Sequence, residues 1–345
     1  MSSGASLSTR FTEAYKVRHP FACAGLAFAG MTPNLALAVN AAGGVGAVGM
    51  GMFPADYIVS VVETMRAASD NPFNINFITI FTDESHIDAC ERCKPPVVSF
   101  HWGHPPKAWI ERLQRAGIHV WEQVGSLEAA RLAVEDNIDL LVLQGTEAGG
   151  HNLGTLPLSV LVPEVAQELS DTLILAAGGI ADGRGVAAAL ALGADGVWVG
   201  TRMAATEESD IADAYKQRLT AAVGADTALS SIFGRDVEGF NPMRVLRNEI
   251  VSQWQDKQEQ APSKPSEQEV IGSMDILGNT FPLHKFSNLV PVRGASGDLE
   301  QMPLLAGQGV GLVKDIEPAA KAIETMMDEA CTIVNRLHKS LHSYT

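Results

Sequence analysis

A glutamate and a histidine follow a buried strand near the middle of the chain, in the stretch QGTEAGGH at residues 144–151. The two glycines before His151 permit a sharp turn, which can bring the imidazole toward a ligand. A histidine whose pKa lies near neutrality can act there as an acid, a base or a hydrogen-bond donor. We therefore predict a functional role for His151, with a surface or capping histidine as the alternative. We expect Glu147 to orient the segment by accepting backbone N–H bonds rather than to be catalytic.

Two glycine-rich segments, AAGGIADG at 176–183 and VGTR at 199–202, end two later strands and could hold a phosphate group. Glycine lets backbone N–H groups converge on an anion because no Cβ atom stands in the way. Thr201 can add a hydroxyl to such a site. We predict a phosphate cradle here, and simple tight turns are the alternative. The segments lack a Walker lysine, which argues against a nucleoside triphosphate loop.

Polar side chains also follow the fourth and fifth apolar runs. His101 and His104 stand in FHWGHPP at 100–106, where Trp102 can form a pocket wall. For both histidines, a substrate-site role and a packing or capping role remain open. Gln123 ends the next run, and its amide can donate to a carbonyl or a ring nitrogen without carrying charge. The histidines lack carboxylate partners at ligand spacing, so we predict no metal site.

Short apolar runs alternate with amphipathic stretches in the part of the chain that carries these residues. We predict eight strands, at 21–24, 45–48, 74–80, 97–100, 118–123, 139–144, 173–177 and 196–199. Helices are predicted between them, at 55–68, 107–116, 127–136, 159–169 and 183–192. This alternation indicates an α/β protein with a parallel sheet, and eight strands fit a TIM (β/α)8 barrel. A doubly wound sheet is the alternative, but no GxGxxG motif follows the first strand. A barrel would bring the segments above together, because its active sites lie at the C-terminal ends of its strands.

The remaining sequence predicts two parts: a barrel at 1–230 plus 300–345, and a C-terminal insertion or lid at 231–299. Within the insertion, residues 252–270 are polar, contain proline and lack periodicity. We expect the insertion over 250–300, which contains this segment, to be mobile and to cover the site. Residues 315–341 predict an amphipathic helix, capped by Asp315 and with Pro318 in its first turn.

The composition of the 345-residue chain is that of a globular protein, with 46% hydrophobic residues and a formal net charge of −15. No basic patch offsets this charge, so we expect no nucleic-acid partner. The four cysteines give no disulfide framework, and CERC at 90–93 is better explained by two thiols on one helix than by a zinc site. Glycines break the uncharged segment 21–54, which we interpret as buried core rather than a membrane span. The N-terminus lacks a signal-peptide pattern, so we expect a cytoplasmic protein without a membrane partner.

Three motifs resemble the nitronate monooxygenase (2-nitropropane dioxygenase) family, which is related to the flavin-dependent enoyl-acyl-carrier-protein reductases. They are QGTEAGGH at 144–151, AAGGIADGRGVAAALALGADGVWVGTR at 176–202 and PLLAGQGVGLV at 303–313. The resemblance runs from about residue 20 to the C-terminal helix and is weakest over 203–300. It implies a barrel that binds FMN non-covalently and oxidises alkyl nitronates with O2 to a carbonyl compound and nitrite.

The resemblance also implies roles for individual residues. His151 matches the catalytic histidine of the family, which abstracts a proton from neutral nitroalkanes or hydrogen-bonds the bound small-molecule substrate. The FMN phosphate would lie at Gly178, Gly179, Gly200 and Thr201. The remaining cofactor-binding residues would lie near the isoalloxazine ring of FMN. They are Ala24, Gly25, Asn76, Gln123, Gln144, Gly149 and Gly150.

Three positions depart from the family pattern. Residues 23–26 are Cys-Ala-Gly-Leu, where the family usually has Gln-Ala-Pro-Met. Gln123 stands where nitronate monooxygenases have a lysine, and Gln144 stands where some members have an aspartate. A neutral amide stabilises an anionic flavin less than an ammonium group does. FMN binding is still expected, whereas the departures leave the nitronate substrate open.

Other functions remain as alternatives. The close one is an NAD(P)H-dependent flavin reductase of an enoyl thioester or another activated alkene. A flavin-free phosphate-binding barrel, such as an isomerase or an aldolase, is a second, although the strand ends lack a Schiff-base lysine. A non-catalytic binding barrel would leave His151 unexplained. The use of NAD(P)H and the formation of a homo-oligomer stay open at this point.

Overall fold

Eight parallel strands form a ring at the centre of the computed structural model, which describes residues 7–51 and 53–341. In chain order, the strands of these residues are β1 (Phe21–Cys23), β2 (Gly46–Gly49), β3 (Phe73–Ile78), β4 (Val97–His101), β5 (His119–Val124), β6 (Leu140–Gln144), β7 (Gly150–His151), β8 (Leu173–Ala177), β9 (Gly196–Val199), β10 (Thr227–Ser230), β11 (Met243–Leu246), β12 (Val270–Ile276), β13 (Asn279–His284) and β14 (Ser296–Gly297). The ring has the order β1-β9-β8-β6-β5-β4-β3-β2, and a parallel bridge between Ala22 and Val45 joins β1 to β2. The predicted TIM barrel is confirmed, and each predicted strand lies in the ring.

Helices connect the strands of the ring and cover its outer face. In chain order, the α-helices of the described residues are α1 (Arg10–Tyr15), α2 (Pro33–Ala42), α3 (Ala55–Ala68), α4 (Glu84–Cys93), α5 (Lys107–Arg115), α6 (Leu127–Glu135), α7 (Leu158–Glu168), α8 (Gly183–Ala191), α9 (Thr201–Ala204), α10 (Asp213–Ala221), α11 (Glu249–Trp254) and α12 (Ala319–Leu341). The five helices predicted from amphipathic stretches correspond to α3 and α5–α8. Ser126 and Asp182 cap α6 and α8, because their side chains accept from the Ala129 and Gly185 amides.

Among the described residues, most of the uncharged segment 21–54 is buried or half-buried, as predicted. Phe21, Leu35 and Val39 are fully buried in the largest apolar cluster, which lies between the ring and its helices. Cys90 and Cys93 both lie on α4, the first buried and the second half-buried. Among the described helices, even the 23-residue α12 lacks the apolar stretch that a membrane crossing requires.

Aromatic side chains close the end of the ring at which the strands begin. Phe11 and Tyr15 of α1 pack against Trp121, whose Nε1 donates to the Tyr15 hydroxyl at 2.6 Å. Arg10 of the same helix pairs with Asp195, which directly precedes β9. The opposite end, where the strands end, therefore forms the open mouth of the barrel.

Residues 231–299 contain regular structure that the sequence did not predict. Strands β12 and β13 form an antiparallel hairpin, whose turn residues Leu277 and Gly278 have φ values of 49° and 82°. Most side chains of the hairpin are exposed or half-buried. The strands therefore lack the apolar alternation on which sequence prediction depends. The division of the chain at residues 230 and 300 stays a prediction; β10 and β11 pair across the first of these points.

The C-terminal helix starts later than predicted. It begins at Ala319, whose amide donates to Glu208 Oε2 at 2.9 Å, so the prediction that Asp315 caps the helix was wrong. Asp315 instead pairs with Arg202 at 3.0 Å. Pro318 directly precedes the helix rather than lying in its first turn.

The insertion should be the first part of the chain that a protease cuts. Lys257, Ser263 and Ser266 are exposed, and the segment around them forms only short 3-10 turns. We expect limited proteolysis to cut first between Gln258 and Ser266, and more slowly when a ligand fills the barrel mouth. First cleavage within a strand of the ring would contradict this assignment.

Candidate active site

Two adjoining cavities open at the mouth of the barrel, one of about 780 Å³ and one of about 140 Å³. Every residue predicted for the site lines at least one of them. The larger is lined by Ala24, Gly25, Asn76, Gln123, Gln144, Gly149, Gly150 and His151, and the smaller by Gly178, Gly179, Gly200 and Thr201. The fold thus brings the predicted residues together, and their roles toward a ligand stay predictions.

Glycines around the smaller cavity allow three backbone segments to meet. A Cβ atom on Gly149 would lie 2.4 Å from Gly307 N, and one on Gly309 would lie 2.3 Å from Gly179 O. Gly178 and Gly179 have φ values of 129° and 69°, a region that favours glycine. The cradle therefore needs glycine for close approach and for backbone conformation.

The hydroxyl of Thr201 lies at the join of these segments. Its Oγ1 accepts from Gly307 N at 3.0 Å, which leaves the O–H free to donate into the smaller cavity. Gly307 and Gly309 line the same cavity and were missed as site residues by the sequence analysis. The signal was present in PLLAGQGVGLV, which was recognised as a motif but was given no role.

Gly25 explains the departure from the family motif after β1. A Cβ atom at this position would lie 2.1 Å from Asn76 Cγ, so a larger residue could stand there only if Asn76 moved. Asn76 Nδ2 in turn donates to Ser99 Oγ at 2.7 Å. The glycine therefore makes room for a fixed amide at the barrel mouth.

The segment that carries His151 is held on both sides. Gln144 Nε2 donates to His151 O at 2.9 Å, and β7 pairs with β11 through Met243 and Arg244. Arg244 also donates from Nη2 to Thr146 O at 2.8 Å, a contact that the sequence did not suggest. Both carboxylate oxygens of Glu147 accept from Leu158 N, at 3.1 and 3.2 Å. The orienting role predicted for Glu147 is confirmed.

His151 is enclosed by aromatic rings. Its ring centroid lies 3.8 Å from that of Phe240 and 5.2 Å from that of Trp102. Burial, with a smaller contribution from His101, lowers the pKa of His151 to about 3. Neither ring nitrogen bonds a residue in the described ranges, and Nε2 is fully buried. The expectation of a pKa near neutrality was wrong, because the ring is desolvated; the imidazole is neutral at neutral pH.

His101 lies at the site, and His104 does not. His101 lines the larger cavity, donates from Nδ1 to Phe77 O at 2.9 Å, and has its pKa lowered to about 4 by burial. His104 faces away, with Nδ1 at 2.9 Å from Glu122 Oε2 and Nε2 at 3.2 Å from Asp136 Oδ2. Both carboxylates come from distant positions in the sequence, so the lack of carboxylates at ligand spacing gave no sign of these contacts.

His104 has a structural role, because it pairs with the Glu122 and Asp136 carboxylates. Burial lowers its pKa, but the Glu122 and Asp136 carboxylates raise it by more. Burial raises the pKa of the Glu122 carboxyl to about 7. His104 and Glu122 therefore hold a proton between the strands and the outer helices, outside the two cavities.

Three histidines whose pKa is lowered in the folded chain predict a loss of stability in acid. Burial lowers the pKa of His19 and of His101 to about 4 and that of His151 to about 3. Below the value of about 6.5 for an unfolded histidine, the unfolded chain binds more protons than the folded chain, so stability falls as pH is lowered. We expect each histidine to lower the free energy of unfolding by about 1–2 kcal/mol at a pH of about 5.

Urea denaturation at a pH of about 8 and at a pH of about 5 measures this loss. The raised pKa values of Glu122 and His104 act in the opposite direction, since these groups take up protons more readily when folded. His19→Leu isolates one contribution, because both ring nitrogens of His19 are buried without a partner in the described residues. An unchanged dependence on pH in this variant would contradict the prediction.

Comparisons with known proteins agree on one family. A sequence model of the nitronate monooxygenase family matches residues 78–329. The chain is 34% identical over 248 residues to the (3aS,4S,5R,7aS)-5-hydroxy-7a-methyl-1-oxo-octahydro-1H-indene-4-carboxyl-CoA dehydrogenase of Rhodococcus jostii, covering 72% of this chain and 68% of that protein. It is 26% identical to the probable nitronate monooxygenase of Staphylococcus saprophyticus, covering 96% and 99%.

A solved structure agrees with this assignment. FabK from Thermotoga maritima superposes with a TM-score of 0.81 at 32% identity, covering 97% of this chain and all of that one (100%). The resemblance seen in the sequence motifs is confirmed. Because the family model matches residues 78–329, the chain belongs to the nitronate monooxygenase family, a family of oxidoreductases.

Proposed function

We propose that this protein is an FMN-dependent nitronate monooxygenase, which oxidises alkyl nitronates with O2 to a carbonyl compound and nitrite. The observation that supports this function most strongly is His151, a neutral imidazole without a protein partner in the described residues, in the wall of a cavity beside a glycine cradle. Family membership supports the reaction class, and the geometry supports the site.

The residues present fit FMN. Gly178, Gly179, Gly200 and Thr201 would hold the phosphate, because their cavity is built from glycine backbone with one free hydroxyl. The amides of Asn76, Gln123 and Gln144 would lie along the ring, together with Ala24, Gly25, Gly149 and Gly150. The side-chain amide of Gln123 forms no hydrogen bond within the described residues and is free to donate to a ligand. When bound, FMN would supply the redox chemistry with the substrate and with O2.

The chain itself would handle the proton. His151 can accept the proton on the carbon next to the nitro group of a neutral nitroalkane, because the imidazole is unprotonated at neutral pH. Phe240 and Trp102 pack against the ring and shield part of it from water. A nitronate has already lost that proton, so for this substrate His151 would serve only as a hydrogen-bonding group.

A second candidate is an NAD(P)H-dependent flavin reductase of an enoyl thioester or another activated alkene. Two observations favour it: the likeness to FabK, and the amide of Gln123 where a lysine would suit nitronate oxidation. In this reaction, His151 would hydrogen-bond the substrate.

Anaerobic titration of the FMN-loaded protein distinguishes the two functions. The proposed function predicts that ethyl nitronate bleaches the flavin absorbance while NADH and NADPH do not. Rapid bleaching by NADH or NADPH alone would overturn it in favour of the reductase. Bleaching by neither reagent would reject both.

A further inference from the structure

Residues 234–241 form an irregular loop, the Phe240 loop, at the barrel mouth. Most of the loop is exposed or half-buried, whereas Phe240 is only 3% exposed. Within the described residues, a single hydrogen bond ties residues 236–240 to a part of the chain outside the loop: Trp102 Nε1 donates to Gly239 O at 2.7 Å. The indole N–H of Trp102 is therefore the polar contact that holds this end of the loop in place.

The backbone of Trp102 is strained. Its φ is 63°, in the left-handed region that bulky residues rarely adopt, and Gly103 follows with a φ of 118°. The Thr79 hydroxyl holds this turn, since its Oγ1 lies 3.0 Å from His101 O and 2.8 Å from Gly103 O. Such strain costs free energy, persists only where the surrounding structure fixes it, and is often found at functional sites. Here the strained turn carries an indole that is buried against the Phe240 loop.

Trp102, Phe240 and His151 form one aromatic cluster. The Phe240 ring lies 3.8 Å from the imidazole, centroid to centroid, at an angle of 31°. The indole lies 5.2 Å from the imidazole and 6.1 Å from the Phe240 ring. Nε2 of His151 is fully buried and has no partner in the described residues. Because a buried nitrogen without a partner is costly, His151 keeps this position only while the rings around it stay packed.

We propose that Trp102 is a positioning residue, which holds Phe240 against His151 and thereby fixes the imidazole at the wall of the larger cavity. The indole does so through its N–H bond to Gly239 O and through its ring. Trp102 itself lines neither cavity, so its effect reaches the site through the Phe240 loop. The importance of the fixed imidazole for turnover rests on the proposed function, whereas the packing itself involves no ligand.

Chemical modification of His151 tests the packing directly. Diethyl pyrocarbonate carbethoxylates an unprotonated imidazole that it can reach, so its rate at His151 reports how often the cluster opens. The reaction would be run on the purified full-length protein at neutral pH. Peptide mass spectrometry would give the rates at His151, at the exposed His119 and at the buried His19 in the same sample.

Trp102→Phe keeps an aromatic ring and removes the indole N–H. It should raise the rate at His151 by about 3- to 10-fold, as expected for the loss of one hydrogen bond, and leave the rates at His119 and His19 unchanged. A rise at His19 as large as that at His151 would show that the whole fold has loosened, and would overturn the proposal. An unchanged rate at His151 would also overturn it.

Trp109→Phe is the matched control. Trp109 is also buried, and its Nε1 donates to Glu84 Oε1 at 2.6 Å. It lies on α5, outside both cavities. This variant loses an indole hydrogen bond of similar length far from the Phe240 loop, so the rate at His151 should not change.

Phe240→Ala tests whether Trp102 acts through Phe240. Alone, this variant should raise the rate at His151 by more than Trp102→Phe does, because it removes the ring that covers the imidazole. Adding Trp102→Phe to Phe240→Ala should then change the rate by less than about 2-fold, since residues that act as one unit are not additive. A further rise of about 3- to 10-fold in the double variant would overturn the route through the Phe240 loop.

Turnover separates this inference from the proposed function. In the FMN-loaded Trp102→Phe protein, kcat for a neutral nitroalkane should fall about 3- to 10-fold with little change in KM, because a mobile base is less often in place. An unchanged kcat in a variant whose His151 is modified faster would overturn the positioning role in catalysis. The expected modification rates in a protein that oxidises no nitronate would reject the proposed function and keep the packing role of Trp102. Nitronate oxidation by the parent protein, with modification rates that Trp102→Phe leaves unchanged, would keep the function and overturn the inference.

Discussion

His151→Asn should lower the turnover of a neutral nitroalkane by about 10²–10⁴-fold while leaving FMN bound, which is the usual loss when a general base is removed. His151 lines the larger cavity, whereas the predicted phosphate residues line the smaller one. The variant should therefore retain its flavin. Turnover of the preformed nitronate should fall far less, because that anion has already lost its proton.

The comparison of the two substrates isolates proton abstraction from binding. Equal losses of turnover on both substrates would assign His151 to positioning. No loss of turnover on either substrate would leave His101 as the histidine that faces the substrate. His119→Asn provides the control, since His119 is exposed at the opposite end of the barrel and should affect neither substrate.

The rate with the neutral nitroalkane should also respond weakly to acid. Burial lowers the pKa of His151 to about 3, so the imidazole stays unprotonated as the pH falls from about 8 to about 5. A fall in kcat/KM with a midpoint near the usual histidine value of about 6.5 would show that the ring is solvated during turnover.

Gly179→Asp should abolish the retention of FMN. Gly179 has a φ of 69°, which side chains rarely adopt, and a Cβ atom there would lie 3.3 Å from Glu147 Cβ. The added carboxylate would also face the FMN phosphate, and two like charges at short range in a partly buried site repel strongly. We expect the purified variant to be colourless and not to recover flavin on dialysis against FMN.

Gly117→Asp controls for the backbone conformation. Gly117 has a φ of 83° on the turn before β5, and a Cβ atom there would meet nothing within 4 Å. This variant should carry as much flavin as the parent protein. If Gly179→Asp also keeps its flavin and its stability, the phosphate does not lie in this cradle.

The barrel could be predicted from the sequence because its strands are buried on both faces. Runs such as 140–143 are continuously apolar, and the helices between them show one apolar stripe, so both patterns are visible without the structure. The hairpin β12–β13 could not be predicted, because most of its side chains contact water and its apolar residues do not alternate.

The candidate site could be predicted in part for a similar reason. Residues in the segments that follow ring strands, such as His151 and Gly178, were found because a barrel places the ends of its strands at one mouth. Arg244, Phe240 and Gly307 come from later segments, and only the tertiary fold shows that they reach this mouth. The pKa of His151 was missed because desolvation depends on those same distant residues.

The cofactor released by heat from the purified protein tests the proposed FMN site most directly. We expect a yellow protein whose supernatant, after heat denaturation, contains FMN in a ratio of about one per chain, with no FAD. A colourless protein that takes up no FMN on reconstitution would contradict this proposal, because the glycine cradle and the amides at the barrel mouth would then have another ligand.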